Sequence, residues 1–177
     1  MSIHWSAPIG FFVFFGFSVR PVGWLILAAL ILMHEWGHAA MVRRFGLFVH
    51  SIVLTGAGGE CAWGGQATAT ERALIAWGGV FGQIPALLLG FALAAILPAK
   101  APPLLAEAVT TLVEVNVMIM VFNLLPIPGL DGWEAWRLFA PSSLKGVGAS
   151  LRRQSMHARR RKIERDLEDL LKKRNRR

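Results

Sequence analysis

The stretch PVGWLILAALILMHEWGHAAMVRR, from Pro21 to Arg44, limits this chain more than any other. Residues 21–33 are apolar on every side of a helix, and the run continues through HEWGHAAMV to Arg43 and Arg44. Together they supply the ~20 residues needed to cross a hydrocarbon core. Inside this span stand His34, Glu35 and His38. Ionisable groups in an apolar span are costly unless they pair, bind a metal or line water.

The rest of the chain fits a membrane setting. Hydrophobic residues make up 54% and charged residues 17%, against roughly 45–50% and 25% in soluble domains. Two more apolar runs, 73–97 ending at Pro98 and 104–125 closed by Pro126, read as further transmembrane helices. The shorter segment 9–19, with Phe11, Phe12, Phe14, Phe15 and Phe17, reads as a fourth element that crosses partially or lies at the interface. No Lys or Arg precedes Arg20, so a cleaved signal peptide is not expected.

Between the first two confident spans, 47–66 combines a β-like run (Val49, Ile52, Val53, Leu54) with several glycines and reads as strand, turn and strand. It either lines a cavity or groove at membrane depth or forms an interfacial loop. The expected fold is therefore an all-α polytopic membrane protein of three to four transmembrane helices with a small β-like insert. Arg43, Arg44 and Arg72 mark one side of the bundle, and the opposite loop carries only Lys100. By the positive-inside rule the Arg-rich side is cytoplasmic.

His34-Glu35-Trp36-Gly37-His38 is H-E-x-x-H. On a helix its histidines lie one turn apart on one face, so that both imidazoles can reach one ion. Glu35, beside the first ligand, is placed to act as general base toward a zinc-bound water of pKa ~7. Zinc is the first choice for imidazole and carboxylate donors. Such a site takes a third protein ligand and leaves a fourth position open. Asp131 stands out, because Pro126 and Pro128 break the third span in NLLPIPGLDG and turn the chain there. Glu60, Glu71, Glu107, Glu114 and Glu134 are competitors, and Glu114, mid-helix beside Asn116, is the most awkward. Cys61 is the sole cysteine and reads as a small packed side chain.

H-E-x-x-H in a transmembrane helix, followed after another span by N-x-x-P-x-P-x-L-D-G, resembles the site-2 proteases, intramembrane zinc metalloproteases, in a compact form without a PDZ domain. The resemblance runs roughly from Trp5 to Leu138. It implies His34, His38 and Asp131 as ligands of one Zn²⁺, Glu35 as base, and a site near the cytoplasmic membrane face. Asn123 matches the family's motif asparagine, which implies a part in holding substrate or polarising the scissile carbonyl. In Gly79-Val80-Phe81-Gly82-Gln83, glutamine stands where the family commonly has asparagine. Gln83 keeps an amide able to donate to an oxyanion, and the bland reading is a helix-to-helix hydrogen bond.

The implied activity is zinc-dependent endoproteolysis of transmembrane protein substrates. One rival is a non-catalytic zinc-binding membrane protein that binds transmembrane partners. Another is a membrane metalloprotease acting on soluble unfolded chains with a glutamate as third ligand. Residues 1–140 are expected to form the membrane-embedded core and 141–177 a basic cytoplasmic tail. From Lys145 onward there are 13 basic and 4 acidic residues, while the preceding part is near neutral. Ile163, Leu167, Leu170 and Leu171 follow helical spacing, so the tail reads as an amphipathic helix contacting anionic lipid or another protein. Nucleic acid is not expected as a partner, since the basic run lacks a recognisable binding fold.

Overall fold

The computed structural model describes Ser2–Ile3 and residues 20–55, 58–98, 100–139, 156, 159–160 and 162–167. Segment 9–19 and most of the basic tail lie outside these residues. Among the described residues, three helices are long and apolar enough to cross a membrane: α1 (Pro21–Arg44), α2 (Ala69–Ile96) and α3 (Pro103–Asn123). A hairpin of β2 (Phe48–Thr55) and β3 (Gly58–Gly64) joins α1 to α2, and a short helix α4 (Asp131–Ala135) follows α3. The chain is mostly helical with a small sheet insert, as its sequence pattern predicts.

Pro21 opens α1, where its missing amide costs nothing and its fixed φ suits a first helical turn. At the other end Arg43 and Arg44 occupy the last turn, where cations complement the helix dipole. The chain then reverses through Gly46, at φ 75°, and Leu47 donates back to the Val42 carbonyl at 3.0 Å. Helix α2 begins four residues earlier than the apolar run suggests. Thr68 and Glu71 form a reciprocal capping box, Glu71 N–H to Thr68 Oγ1 at 3.2 Å and Thr68 N–H to Glu71 Oε2 at 2.9 Å. Two orphan amides are satisfied at once by polar side chains, so Glu71 serves the helix end.

β2 and β3 pair antiparallel from Phe48 opposite Gly64 to Thr55 opposite Gly58, with an irregularity between Val49 and Ser51. Ser2–Ile3 (β1) pairs parallel with Val53 and Leu54. The order β1-β2-β3 leaves β3 at an edge among the described residues.

Helices α1 and α2 pack backbone to backbone. A Cβ on Gly37 would run into the Gly78 carbonyl, and one on Gly82 into the Met33 carbonyl. In a bilayer, where apolar burial drives association weakly, small residues let helices approach closely enough for dispersion and interhelical contacts to hold them. Above and below this crossing lie two apolar clusters. Leu27, Leu30, Ala86 and Ile119 fill the bundle interior; Val42, Phe45, Leu47 and Ile75 close the end that carries the hairpin. The polar residues of α1 are buried between them.

Helix α3 is interrupted by one π turn, Thr111–Val115. Thr111 is buried there and donates to the Glu107 carbonyl at 2.9 Å, while Glu114 is exposed on the outer face.

Candidate metal centre

His34 and His38 lie one turn apart on the buried face of α1, their ring planes at 83°. Each imidazole is held from behind. His38 Nδ1–H donates to the Ile75 carbonyl at 2.7 Å, and His34 Nδ1–H donates to Gln83 Oε1 at 2.9 Å. A ring whose Nδ1 carries the proton presents a lone pair at Nε2. The two Nε2 atoms are 3.0 Å apart. Asp131 Oδ2 lies 2.8 Å from His34 Nε2 and 3.1 Å from His38 Nε2.

Three acceptor atoms therefore converge on one point, an arrangement that a cation between them makes favourable. Zinc–ligand distances of about 2.0–2.1 Å in tetrahedral geometry place donors about 3.3 Å apart. The observed spacing is within a few tenths of an ångström of that, so the donor set fits a zinc ion. Ligand atoms of His34, Glu35 and His38 also lie within 4.8 Å of one another, the one such buried group among the described residues.

Asp131 is brought to α1 from 97 residues away. Pro126 and Pro128 end α3, Gly129 turns the chain at φ 94°, and α4 starts at Asp131. Gly132 lets α4 sit directly against the Leu124 and Leu125 carbonyls. Trp136 donates to the Leu124 carbonyl at 2.6 Å, and Trp77 of α2 donates to the Ala135 carbonyl at 3.1 Å. Trp77 also meets Trp136 and Phe139 edge to face.

The centre opens into a cavity of about 290 Å³, whose wall includes Glu35, Gly59, Glu60, Arg72, Asn123 and Asp131. Two glycines are required here by close approach. A Cβ on Gly79 would come within 2.5 Å of His34 and 2.6 Å of His38, and one on Gly59 would strike the Glu35 carboxylate. The sequence marks Gly79 as part of a motif and Gly59 as one of the glycines of the β-like insert, but neither as a surface on which these side chains rest.

The competing carboxylates are distributed differently. Glu60 and Glu134 line the cavity, with Glu134 paired to Arg137 at 2.9 Å and near Arg72. Glu71 caps α2, Glu107 accepts the Gly23 amide at 2.8 Å, and Glu114 faces outward. Asn123 lines the cavity and donates to the Ile119 carbonyl at 3.0 Å. Gln83 is fully buried and lies behind His34, outside the cavity wall. Cys61 lines the cavity, and burial, reinforced by Glu35, pushes its thiol up to about 11.

No family model matches the chain. It is 31% identical, over 85% of its length, to Rip3 of Mycobacterium tuberculosis in strains Erdman and H37Rv, a protein whose name marks it as a candidate zinc metalloprotease. The match covers 44% of that protein, so the chain spans under half the length of the curated relatives it matches.

Proposed function

We propose that this chain is a zinc-dependent intramembrane endopeptidase of the site-2 protease type, hydrolysing peptide bonds of transmembrane substrates. The observation that carries this reading is the convergence of His34 Nε2, His38 Nε2 and Asp131 Oδ2 within 2.8–3.1 Å, with Glu35 beside them in one cavity. The relative's name supports metalloprotease chemistry, and the motif resemblance supports the site-2 type.

His34, His38 and Asp131 would hold the ion, which when bound supplies Lewis acidity at an open position. Glu35 takes a proton from the attacking water as its oxygen adds to the peptide carbonyl carbon, then delivers that proton to the departing amine nitrogen. Gly59 sets where the Glu35 carboxylate can stand. Asn123, at the cavity wall, is positioned to hold the substrate backbone. A helical substrate must unwind locally first, because an intact helix ties up its carbonyls in internal hydrogen bonds.

In this reading residues 1–140 form the membrane-embedded core and 141–177 a cytoplasmic tail. Two features support that orientation: Arg43, Arg44 and Arg72 cluster at the end of α1 and start of α2, and the tail carries the basic excess. Ile163 and Leu167 are helical and exposed, as a helix lying on anionic lipid requires.

The test compares wild type with Glu35→Gln, purified in detergent or liposomes, for zinc content and for cleavage of a panel of transmembrane segments. About one zinc in both, with cleavage by wild type alone, supports the reading. Zinc in both and cleavage by neither favours a non-catalytic zinc-binding protein. Absence of metal from wild type overturns the proposal.

A further inference from the structure

Both imidazoles of the centre need an acceptor at Nδ1 to fix which nitrogen faces the ion, and the two acceptors differ in kind. His38 uses a backbone carbonyl, that of Ile75. His34 uses a side chain from another helix, Gln83 Oε1 at 2.9 Å. Gln83 is 0% exposed, as is Asn116 of α3, whose Nδ2 donates to the backbone carbonyl of Gln83 at 3.3 Å. Two carboxamides are thus buried together at one level of an apolar bundle, where a polar group without compensation costs on the order of 1–3 kcal/mol.

Their remaining polar atoms are complementary. Gln83 Nε2 is a donor and Asn116 Oδ1 an acceptor, and each is buried with no hydrogen-bond partner among the described residues. Helix packing alone would favour apolar residues at both positions. Among the described residues the Gln83 side chain makes its hydrogen bond to His34, and Gln83 takes no part in the cavity wall.

We propose that Gln83 is a positioning residue of the metal centre: its Oε1 holds His34 in the tautomer and ring orientation that direct Nε2 at the ion, and Asn116 of α3 braces its main chain through the backbone carbonyl. Outer acceptors of this kind set ligand tautomer and basicity, and their loss commonly weakens metal binding 10–100-fold. The role is distinct from donation to a reacting oxyanion, because the hydrogen-bonding atom is the carbonyl oxygen and it points at a ligand. All three spans then contribute to the centre: α1 the imidazoles, α2 the orienting acceptor, α3 its brace.

The inference rests on His34 and His38 being metal ligands, and the experiment separates the two failures. The full chain in detergent is titrated with Zn²⁺ against a competing chelator, and with Co²⁺ while its visible ligand-field bands are followed. Wild type that binds neither ion refutes the ligand assignment and this inference with it. Given binding by wild type, Gln83→Leu is expected to bind Zn²⁺ 10–100-fold more weakly with shifted Co²⁺ bands, at unchanged helix content. Gln83→Glu keeps an acceptor of the same reach and is expected to stay within a few-fold of wild type. Gln83→Asn keeps the amide but withdraws it by one methylene and is expected to lose about tenfold, which decides the matter if the leucine variant does not fold. Wild-type affinity and bands in a folded Gln83→Leu or Gln83→Asn chain overturn the proposal, as does loss of metal from a folded Gln83→Glu chain.

Discussion

Glu107 of α3 accepts the backbone amide of Gly23 at 2.8 Å, so the third span caps the first. Helix α1 has no side-chain cap of its own, and its first amides would otherwise face hydrocarbon or interface without a partner. A carboxylate at a helix N-terminus satisfies an orphan donor and complements the dipole. It also sets the relative height of α1 and α3, and through α1 the height of the histidines.

Glu107→Ala is therefore expected to destabilise the fold by about 1 kcal/mol, the usual cost of losing such a cap. For a chain of this size that lowers the midpoint of thermal unfolding in detergent by about 2–4 °C. Glu107→Gln keeps an acceptor but not the charge and should fall between alanine and wild type. No change in Glu107→Ala would mean that the Gly23 amide finds another partner at no cost.

Trp77 joins α2 to the segment that carries Asp131, through its bond to the Ala135 carbonyl and its edge-to-face contacts with Trp136 and Phe139. Trp77→Phe keeps an aromatic ring and removes the hydrogen bond, whose net worth is about 0.5–1.5 kcal/mol. The expected result is a several-fold loss of zinc affinity in chelator competition, with the His34–His38 pair intact. Unchanged affinity would assign the placement of α4 to Gly132 and Trp136 alone.

Cys61 shares the cavity, yet its thiol is held up at about 11 by burial and by Glu35. A raised thiol pKa leaves less thiolate at a given pH. At pH 8 the rise from an ordinary value near 9 reduces the thiolate fraction about 100-fold, and the greater nucleophilicity of the more basic thiolate returns nearly tenfold. Alkylation by iodoacetamide, followed by mass shift, should run about tenfold slower than for an unhindered cysteine peptide. It should quicken tenfold per pH unit through pH 10. A rate equal to the peptide's at pH 8 would show that the thiol is solvated and that Cys61 does not sit against Glu35.

Much of the architecture was legible from periodicity and punctuation. Pro21 and the Arg43-Arg44 pair bracket α1, and the β-like run with its glycines became the β2–β3 hairpin. The two motifs carrying His34, His38 and Asp131 are brought to one point, since the prolines after α3 leave the chain little choice but to turn there. Long-range polar pairings were not legible. Glu107 and Gly23 are 84 residues apart, and nothing local to either announces the bond. Hydropathy does not mark the start of α2, because Thr68 and Glu71 are polar and the apolar run begins after them. The motif around Gly79 drew notice to the Gln83 amide as a donor, whereas the fold presents its carbonyl oxygen to His34 and the bare face of Gly79 to both imidazoles.

Gly79 and Gly59 allow the two functions of the centre to be separated. Gly79 lies under both imidazole rings, and a Cβ there would stand 2.5–2.6 Å from atoms of His34 and His38, against ordinary contacts of about 3.5–4.0 Å. Those rings are pinned at Nδ1 by Gln83 and Ile75 and cannot yield without breaking a buried hydrogen bond. Gly59 lies under Glu35, whose carboxylate ends a flexible chain facing an open cavity and can swing aside. Gly79→Ala should therefore lose zinc affinity by tenfold or more, whereas Gly59→Ala should retain its zinc and lose turnover by a similar factor, because the base is displaced and the ligands are not. Zinc content by mass spectrometry and cleavage by gel, measured on both variants in one preparation, read the two effects independently. Zinc retained at wild-type affinity in Gly79→Ala would show that the imidazoles are not pinned. Full turnover in Gly59→Ala would show that the position of Glu35 does not depend on the β3 backbone.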